Sequence, residues 1–134
     1  MLDHMFLTVS DIDRSIAFYE AVLPHVGMTI RHDYDGKDGP AGHPDLKGFG
    51  ADGRIPFWLR HGTPAPGAVH VGFVAHSEAE VRSAHEAALQ AGATNKITPG
   101  PQAYYDPRYF AGQVTDPDGY TLEFVYKPWQ HRLS

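Results

Sequence analysis

The chain has 134 residues, a formal net charge of −5, a sequence pI near 5.9 and 20% charged residues, with no cysteine. That length suits a single domain with its own core. The absence of cysteine excludes disulfides, thiolate metal sites and cysteine nucleophiles, so any metal must be held by His, carboxylate or water. The acidic balance and the lack of a Lys/Arg cluster argue against nucleic acid as a partner. No apolar run reaches the length of a membrane span, so no membrane partner is expected. Met1-Leu2-Asp3-His4 has neither a basic n-region nor an apolar h-region, and the expectation is a cytoplasmic protein.

In chain order, His4-Met5-Phe6-Leu7-Thr8-Val9 reads as a short strand. Ser10 and Asp13 then form a capping-box-like pair, followed by Ile16, Tyr19, Val22 and Leu23 at helical spacing up to Pro24. Residues 26–31 and 46–49 read as middle strands. Residues 33–44, rich in Gly, Asp and His, read as a long loop. Asp52-Gly53 is a hairpin signal, and Ile55-Pro56-Phe57-Trp58-Leu59 is the strand after it. Residues 60–67 carry two prolines and two glycines and read as a linker.

The order then repeats. His70-Val71-Gly72-Phe73-Val74-Ala75 is strand-like, and Ser77 with Glu80 is an S-x-x-E capping box. A helix runs through Val81, Ala84, Ala88 and Leu89 and ends at Gly92. Residues 94–98 and 109–115 fill the middle strands, and Asp118-Gly119 turns into Tyr120-Thr121-Leu122-Glu123-Phe124-Val125. His4 and His70 stand 66 positions apart, and so do the two Asp-Gly turns. Such a fixed offset marks a duplicated unit. Each unit, approximately 1–63 and 64–134, reads as strand, helix and then several strands, and the two are expected to pair around a pseudo-twofold axis.

Alternate strand residues share a face, which sorts the side chains. Leu122, Phe124 and Tyr126 form the core face of the last strand, and Glu123 points into the cup. After Gly53, Ile55, Phe57 and Leu59 face the core while Trp58 and Arg60 point inward; a slip of one residue would put Phe57 there instead. Phe6 and Thr8 share the face of His4. Before Asp116 the inward set is either Tyr109, Ala111 and Gln113 or Phe110, Gly112 and Val114. The first is preferred because the second makes the better core face. The pseudo-twofold is then expected to bring His4, His70, Trp58 and Glu123 toward one spot. Two histidines and a carboxylate can hold Fe, Mn, Zn, Ni or Co and leave open positions for a substrate. Tyr109 and Gln113 are candidates for bonding a substrate oxygen, with Tyr109 and Glu123 as catalytic candidates. Phe6 and Trp58 would wall the site, and Arg60 would offset an oxyanion. Tyr104, Tyr105 and Arg108 belong to a loop that could cover the cup. His25, His32, His43, His61, His76, His85 and His131 follow no pattern and read as mostly solvated.

These residues carry a resemblance. The His4 strand, Asp11-Ile12-Asp13-Arg14-Ser15-Ile16-Ala17-Phe18-Tyr19, His70 and Asp116-Pro117-Asp118-Gly119-Tyr120-Thr121-Leu122-Glu123 resemble the vicinal oxygen chelate superfamily. That superfamily includes glyoxalase I, bleomycin-resistance proteins, fosfomycin-resistance enzymes and extradiol dioxygenases. The resemblance implies an α+β fold of two paired βαβββ units forming a cup-shaped mixed β-sheet with helices on its outer face, a homodimer, a small-molecule substrate and a divalent metal on residues matching His4, His70 and Glu123. Glyoxalase I uses a fourth ligand where this chain has Trp58, which cannot ligate, so ordinary four-ligand glyoxalase I is not implied. Phe6 stands where the fosfomycin-resistance transferases carry a polar residue, and common extradiol dioxygenases carry a second domain pair. The leading expectation is a metal-dependent lyase, isomerase, transferase or dioxygenase acting on a small oxygenated substrate. The alternative is a metal-free sequestering protein of the bleomycin-resistance type.

Overall fold

In the computed structural model, which describes residues 1–130, the repeat in the sequence is a repeat of topology. The first unit runs β1 (Met5–Val9), α1 (Ile12–Val22), β2 (Ile30–Tyr34), β3 (Leu46–Ala51) and β4 (Arg54–His61). The second runs β5 (His70–Val74), α2 (Glu78–Gln90), β6 (Thr94–Pro101), β7 (Phe110–Thr115) and β8 (Thr121–Tyr126). Each unit is a four-stranded mixed sheet, ordered β1-β4-β3-β2 and β5-β8-β7-β6. In each the first and last strands run parallel and the other pairs antiparallel. The observed class is α+β, with both helices on the same side as the core.

Strand alternation sets the two faces. Leu7, Val9, Phe57 and Leu59 from the first sheet and Val71, Phe73, Leu122 and Phe124 from the second are buried with Tyr19, Val22, Val81, Ala84 and Ala88 of the helices. The rings of Phe57 and Phe73 meet at 5.4 Å, so one apolar layer crosses from unit to unit. Burying each of those rings is worth about 1.5–3 kcal/mol.

The turn before β8 fastens the second unit to the first. Asp118 accepts from Ser10 N at 3.2 Å, from Ser10 Oγ and from Arg14 Nη2 at 3.1 Å. Tyr19 donates from its hydroxyl to buried Asp116 at 2.5 Å, and Tyr120 donates to the carbonyl of Thr8 at 2.6 Å. Burial pushes the Asp116 carboxyl up, while the Tyr19 hydroxyl and the N–H groups of Tyr120 and Asp118 pull it back.

Four local expectations are corrected. Asp11, not the Ser10–Asp13 pair, caps α1 by accepting from Arg14 N, because the Ser10 hydroxyl is taken by Asp118. The strand expected over 26–31 begins at Ile30, because Leu23–Val26 forms a 3-10 helix closed by Gly27 at φ 84°. Ile55 leaves the core face: β3 and β4 shift register between Phe49 and Ala51, and the bulge turns Ile55 to the side of Trp58. His85 is buried rather than solvated, with Nε2 at 2.7 Å from Asn95 Oδ1, because α2 lies over β6 and β7. The second capping box closes in a variant form, with Ser77 accepting from Glu80 N and Glu80 from His76 N. His131 lies outside the described residues.

Candidate functional site

The face of the second sheet turned away from the helices holds a polar cluster around Glu123. The β8 alternation that sends Leu122 and Phe124 into the core leaves Glu123 on the open face, and neighbouring side chains cover it to 7% exposure. Glu123 Oε1 lies 2.9 Å from His70 Nε2 and accepts from Gln113 Nε2 at 3.3 Å. Its Oε2 accepts from the Tyr109 hydroxyl at 2.5 Å. Register explains the convergence, since Gln113 pairs with Glu123 across β7–β8 and His70 opens the parallel neighbour β5. Phe110 and Val114 are buried against the helix, so the inward set is Tyr109, Ala111 and Gln113.

Burying a carboxyl group is costly unless hydrogen bonds replace the lost water. Glu123 has three polar neighbours that can supply them. Burial, and then the Glu123 carboxylate, push the Tyr109 phenol well above its ordinary range, so it stays protonated and donates. Tyr105 packs on Tyr109 at 4.9 Å and Tyr104 on Tyr105 at 4.5 Å, an exposed aromatic stack leading out from the cluster.

One residue of this face escaped the sequence reading. Lys96 donates from Nζ to Thr121 Oγ1 at 2.8 Å, and Thr121 pairs with His70. It puts a positive charge on the same side as Glu123. The β6–β7 irregularity around Asn95 and Ile97 hides its direction from simple alternation.

The other expected residues lie on the first sheet. Phe6 and Trp58 are register partners on its open face, as are Thr8 and Arg60. Trp58 is indeed the inward residue, with Phe57 2% exposed in the core. Arg60 donates to Thr8 Oγ1 at 3.0 Å and lies over the Phe6 ring at 5.6 Å. His4 is edge-on to Phe6 at 5.2 Å, and its Nδ1 is 2.6 Å from Asp3.

Within one chain His4 does not join His70 and Glu123. The end of β1 lies beside the start of β8, as the Ser10–Asp118 and Thr8–Tyr120 bonds show, and His70 pairs with Thr121 there. His4 precedes Ser10 by six residues of extended chain, about 20 Å. Among the described residues no three His, Asp or Glu side chains stand close enough to share a metal. The pseudo-twofold relates the two histidines by placing them at opposite ends of the seam between the units. The His70–Glu123 pair does fit part of a metal site. Two donors on adjacent positions of one ion, each about 2.1 Å from it, stand about 3 Å apart, as these do.

No helix among the described residues is long and apolar enough to cross a membrane. The family model described as the Glyoxalase/Bleomycin resistance protein/Dioxygenase superfamily matches residues 1–124. Among curated proteins none matches the chain. A glyoxalase/bleomycin resistance protein from Albidiferax ferrireducens T118 superposes with a TM-score of 0.75 at 21% identity, over 96% of this chain and 99% of that one. A glyoxylase/bleomycin resistance protein/dioxygenase domain from Frankia sp. EAN1pec gives 0.69 at 21% identity, over 95% and 97%. The genomically encoded fosfomycin resistance protein FosX from Listeria monocytogenes gives 0.68 at 19% identity, over 99% and 98%. These solved structures share the fold.

Proposed function

Since the chain belongs to the glyoxalase/bleomycin resistance protein/dioxygenase superfamily, we propose that it is a divalent-metal enzyme acting on a small oxygenated substrate. The observation that carries this reading is the Glu123 cluster. A carboxylate and an imidazole nitrogen stand 2.9 Å apart on an open sheet face, the carboxylate buried and held by Tyr109 and Gln113. His70 and Glu123 would be two ligands of the metal. The third would be His4 from a second copy, because a chain cannot bring its own His4 to its own Glu123 without unpairing β1. An exposed apolar strip supports a homodimer: Leu2, Phe6 and Val74 are all exposed, and Leu2 and Val74 border an apolar groove between the two units.

When bound, the metal would act as a Lewis acid on substrate oxygens chelated to it. The chain's own residues would do the rest. Tyr109, kept protonated by burial, donates to Glu123 Oε2 and so fixes the carboxylate with Oε1 beside His70, the pair that would hold the metal. It thus serves first as a positioning residue, with its hydroxyl committed to Glu123 rather than free for substrate. Gln113 supports the same oxygen as His70. Trp58, a residue without ligating capacity at the position matching the fourth ligand of glyoxalase I, supports a three-ligand arrangement instead. Lyase, isomerase, transferase and dioxygenase chemistry all remain compatible with three ligands.

Metal analysis of protein purified without chelators tests the proposal, together with Glu123→Gln. The expected result is near-stoichiometric transition metal in the wild type and strong loss in the folded variant. Less than about a tenth of an equivalent, with no gain on reconstitution, overturns it. That outcome would favour a metal-free sequestering protein of the bleomycin-resistance type. One observation speaks for that second reading: no third metal-binding side chain joins the pair among the described residues.

A further inference from the structure

The open face of the first sheet has a different chemistry from the Glu123 face. It carries a cavity of about 260 Å³ lined by Phe6, Tyr34, Leu46, Ile55 and Trp58, with Asp3 and His4 at its edge. Trp58 forms its floor. Gly48 lies under the indole, where an added Cβ would come within 2.7 Å of Trp58 Cζ3 and 2.5 Å of Ile55 Cγ2. A side chain at 48 would lift the ring, so glycine allows it to lie across the strand. The indole N–H donates to the Ile55 carbonyl at 2.7 Å. Its polar edge is therefore satisfied within its own strand, and carbon faces the cavity. His32 meets the indole edge-on at 6.0 Å, and Phe6 is 39% exposed beside it. The β3–β4 bulge completes the wall by turning Ile55 inward.

We infer that this cavity takes a planar aromatic ring of the substrate, laid over Trp58 and walled by Phe6 and Ile55. Aromatic faces and edges select rings by offset-stacked and T-shaped contacts, which a saturated group cannot reproduce. No Lys or Arg lines the cavity, so a compact multiply charged anion would be desolvated there without a counter-charge. The link to chemistry rests on the reading proposed above: His4, the third ligand of that reading, stands on the Phe6 ring at the cavity edge. A ring bound over Trp58 would then present its oxygen substituents to the metal position. The substrate class is thus an oxygen-substituted aromatic compound.

The ring subsite is testable without metal. Chelator-treated full-length protein is titrated with phenol and with cyclohexanol, a saturated probe of similar size. Binding is followed by the indole N–H resonances, with Trp58 and Trp129 assigned through Trp129→Phe. The expected result is a saturable shift of Trp58 alone, with phenol favoured over cyclohexanol by roughly 2- to 10-fold. Trp58→Leu should abolish that preference when binding is measured by calorimetry. Phe6→Leu, at a more exposed position, should weaken phenol binding while the fold is kept. The absence of a saturable shift, or equal binding of the two probes, overturns the inference. Because these titrations contain no metal, their failure leaves the metal proposal to its own analysis.

Discussion

Asp118 offers a sharp test of how the two units are held together. It occupies an Asp-Gly turn that the sequence repeats at Asp52-Gly53, yet the two aspartates do different work. The Asp118 side chain is 4% exposed and accepts from Ser10 N, Ser10 Oγ and Arg14 Nη2. Asp118→Asn keeps the shape and removes one acceptor. If the amide oxygen takes the Oδ1 position, it retains Ser10 Oγ and Arg14 as weaker bonds to a neutral acceptor. The amide nitrogen then faces Ser10 N–H, donor against donor. A part-buried N–H left without an acceptor costs about 1–3 kcal/mol, and a charged bond exceeds a neutral one by about 1 kcal/mol. The Arg14 ion pair adds little, about 0.5 kcal/mol, because the Arg14 side chain is 46% exposed. The loss should be about 3 kcal/mol, which for this chain length lowers the melting temperature by roughly 10 °C. Asp52 is exposed at φ 53°, a conformation that asparagine tolerates, so Asp52→Asn should be neutral within about 0.5 kcal/mol. Urea unfolding of both variants gives the comparison. A loss below about 1 kcal/mol at Asp118, or an equal loss at Asp52, would refute the reasoning.

Further outcomes follow from other contacts. Burial, and then Asp116, hold the Tyr19 phenol well above its ordinary range. The unfolded chain releases that proton near pH 10 while the folded one keeps it, so stability should fall as pH rises beyond that point. Tyr19→Phe should remove up to about 1.4 kcal/mol per pH unit from the alkaline slope; identical slopes between pH 9 and 11 would contradict this. Tyr109→Phe should weaken metal binding about 10- to 100-fold in a chain that still folds, measured by competition with a chromogenic chelator. Unchanged affinity would remove Tyr109 from the site. Gly112→Ala would bring a Cβ within 2.8 Å of His85 Nδ1 and 2.9 Å of Pro99 Cγ, so a destabilisation of about 1–3 kcal/mol is expected. Gly72→Ala meets nothing within 4 Å and should be tolerated within about 0.5 kcal/mol; reversed effects in thermal melts would mean that the two sheet faces are misassigned.

Much of this architecture is legible in the chain itself. Strand and helix periodicities, Asp-Gly turns and a fixed offset are local signals, and they placed both βαβββ units and the inward directions of Glu123, Tyr109, Gln113 and Trp58. Side-chain direction in a strand depends only on counting by two, so it survives without knowledge of neighbours. Counting failed where the ladder gains a residue, at the bulge that turns Ile55 and near Lys96. It also failed where a distant partner competed for a local cap, as Asp118 does for Ser10. The three candidate ligands show the deeper limit. Sequence determined which residues have the right chemistry and which face each occupies. Only the tertiary structure decided that His70 meets Glu123 while His4 stands at the other end of the seam. A twofold axis relates equivalent positions without making them neighbours, and how far apart they fall depends on how the units pack rather than on any residue's own neighbours in the chain.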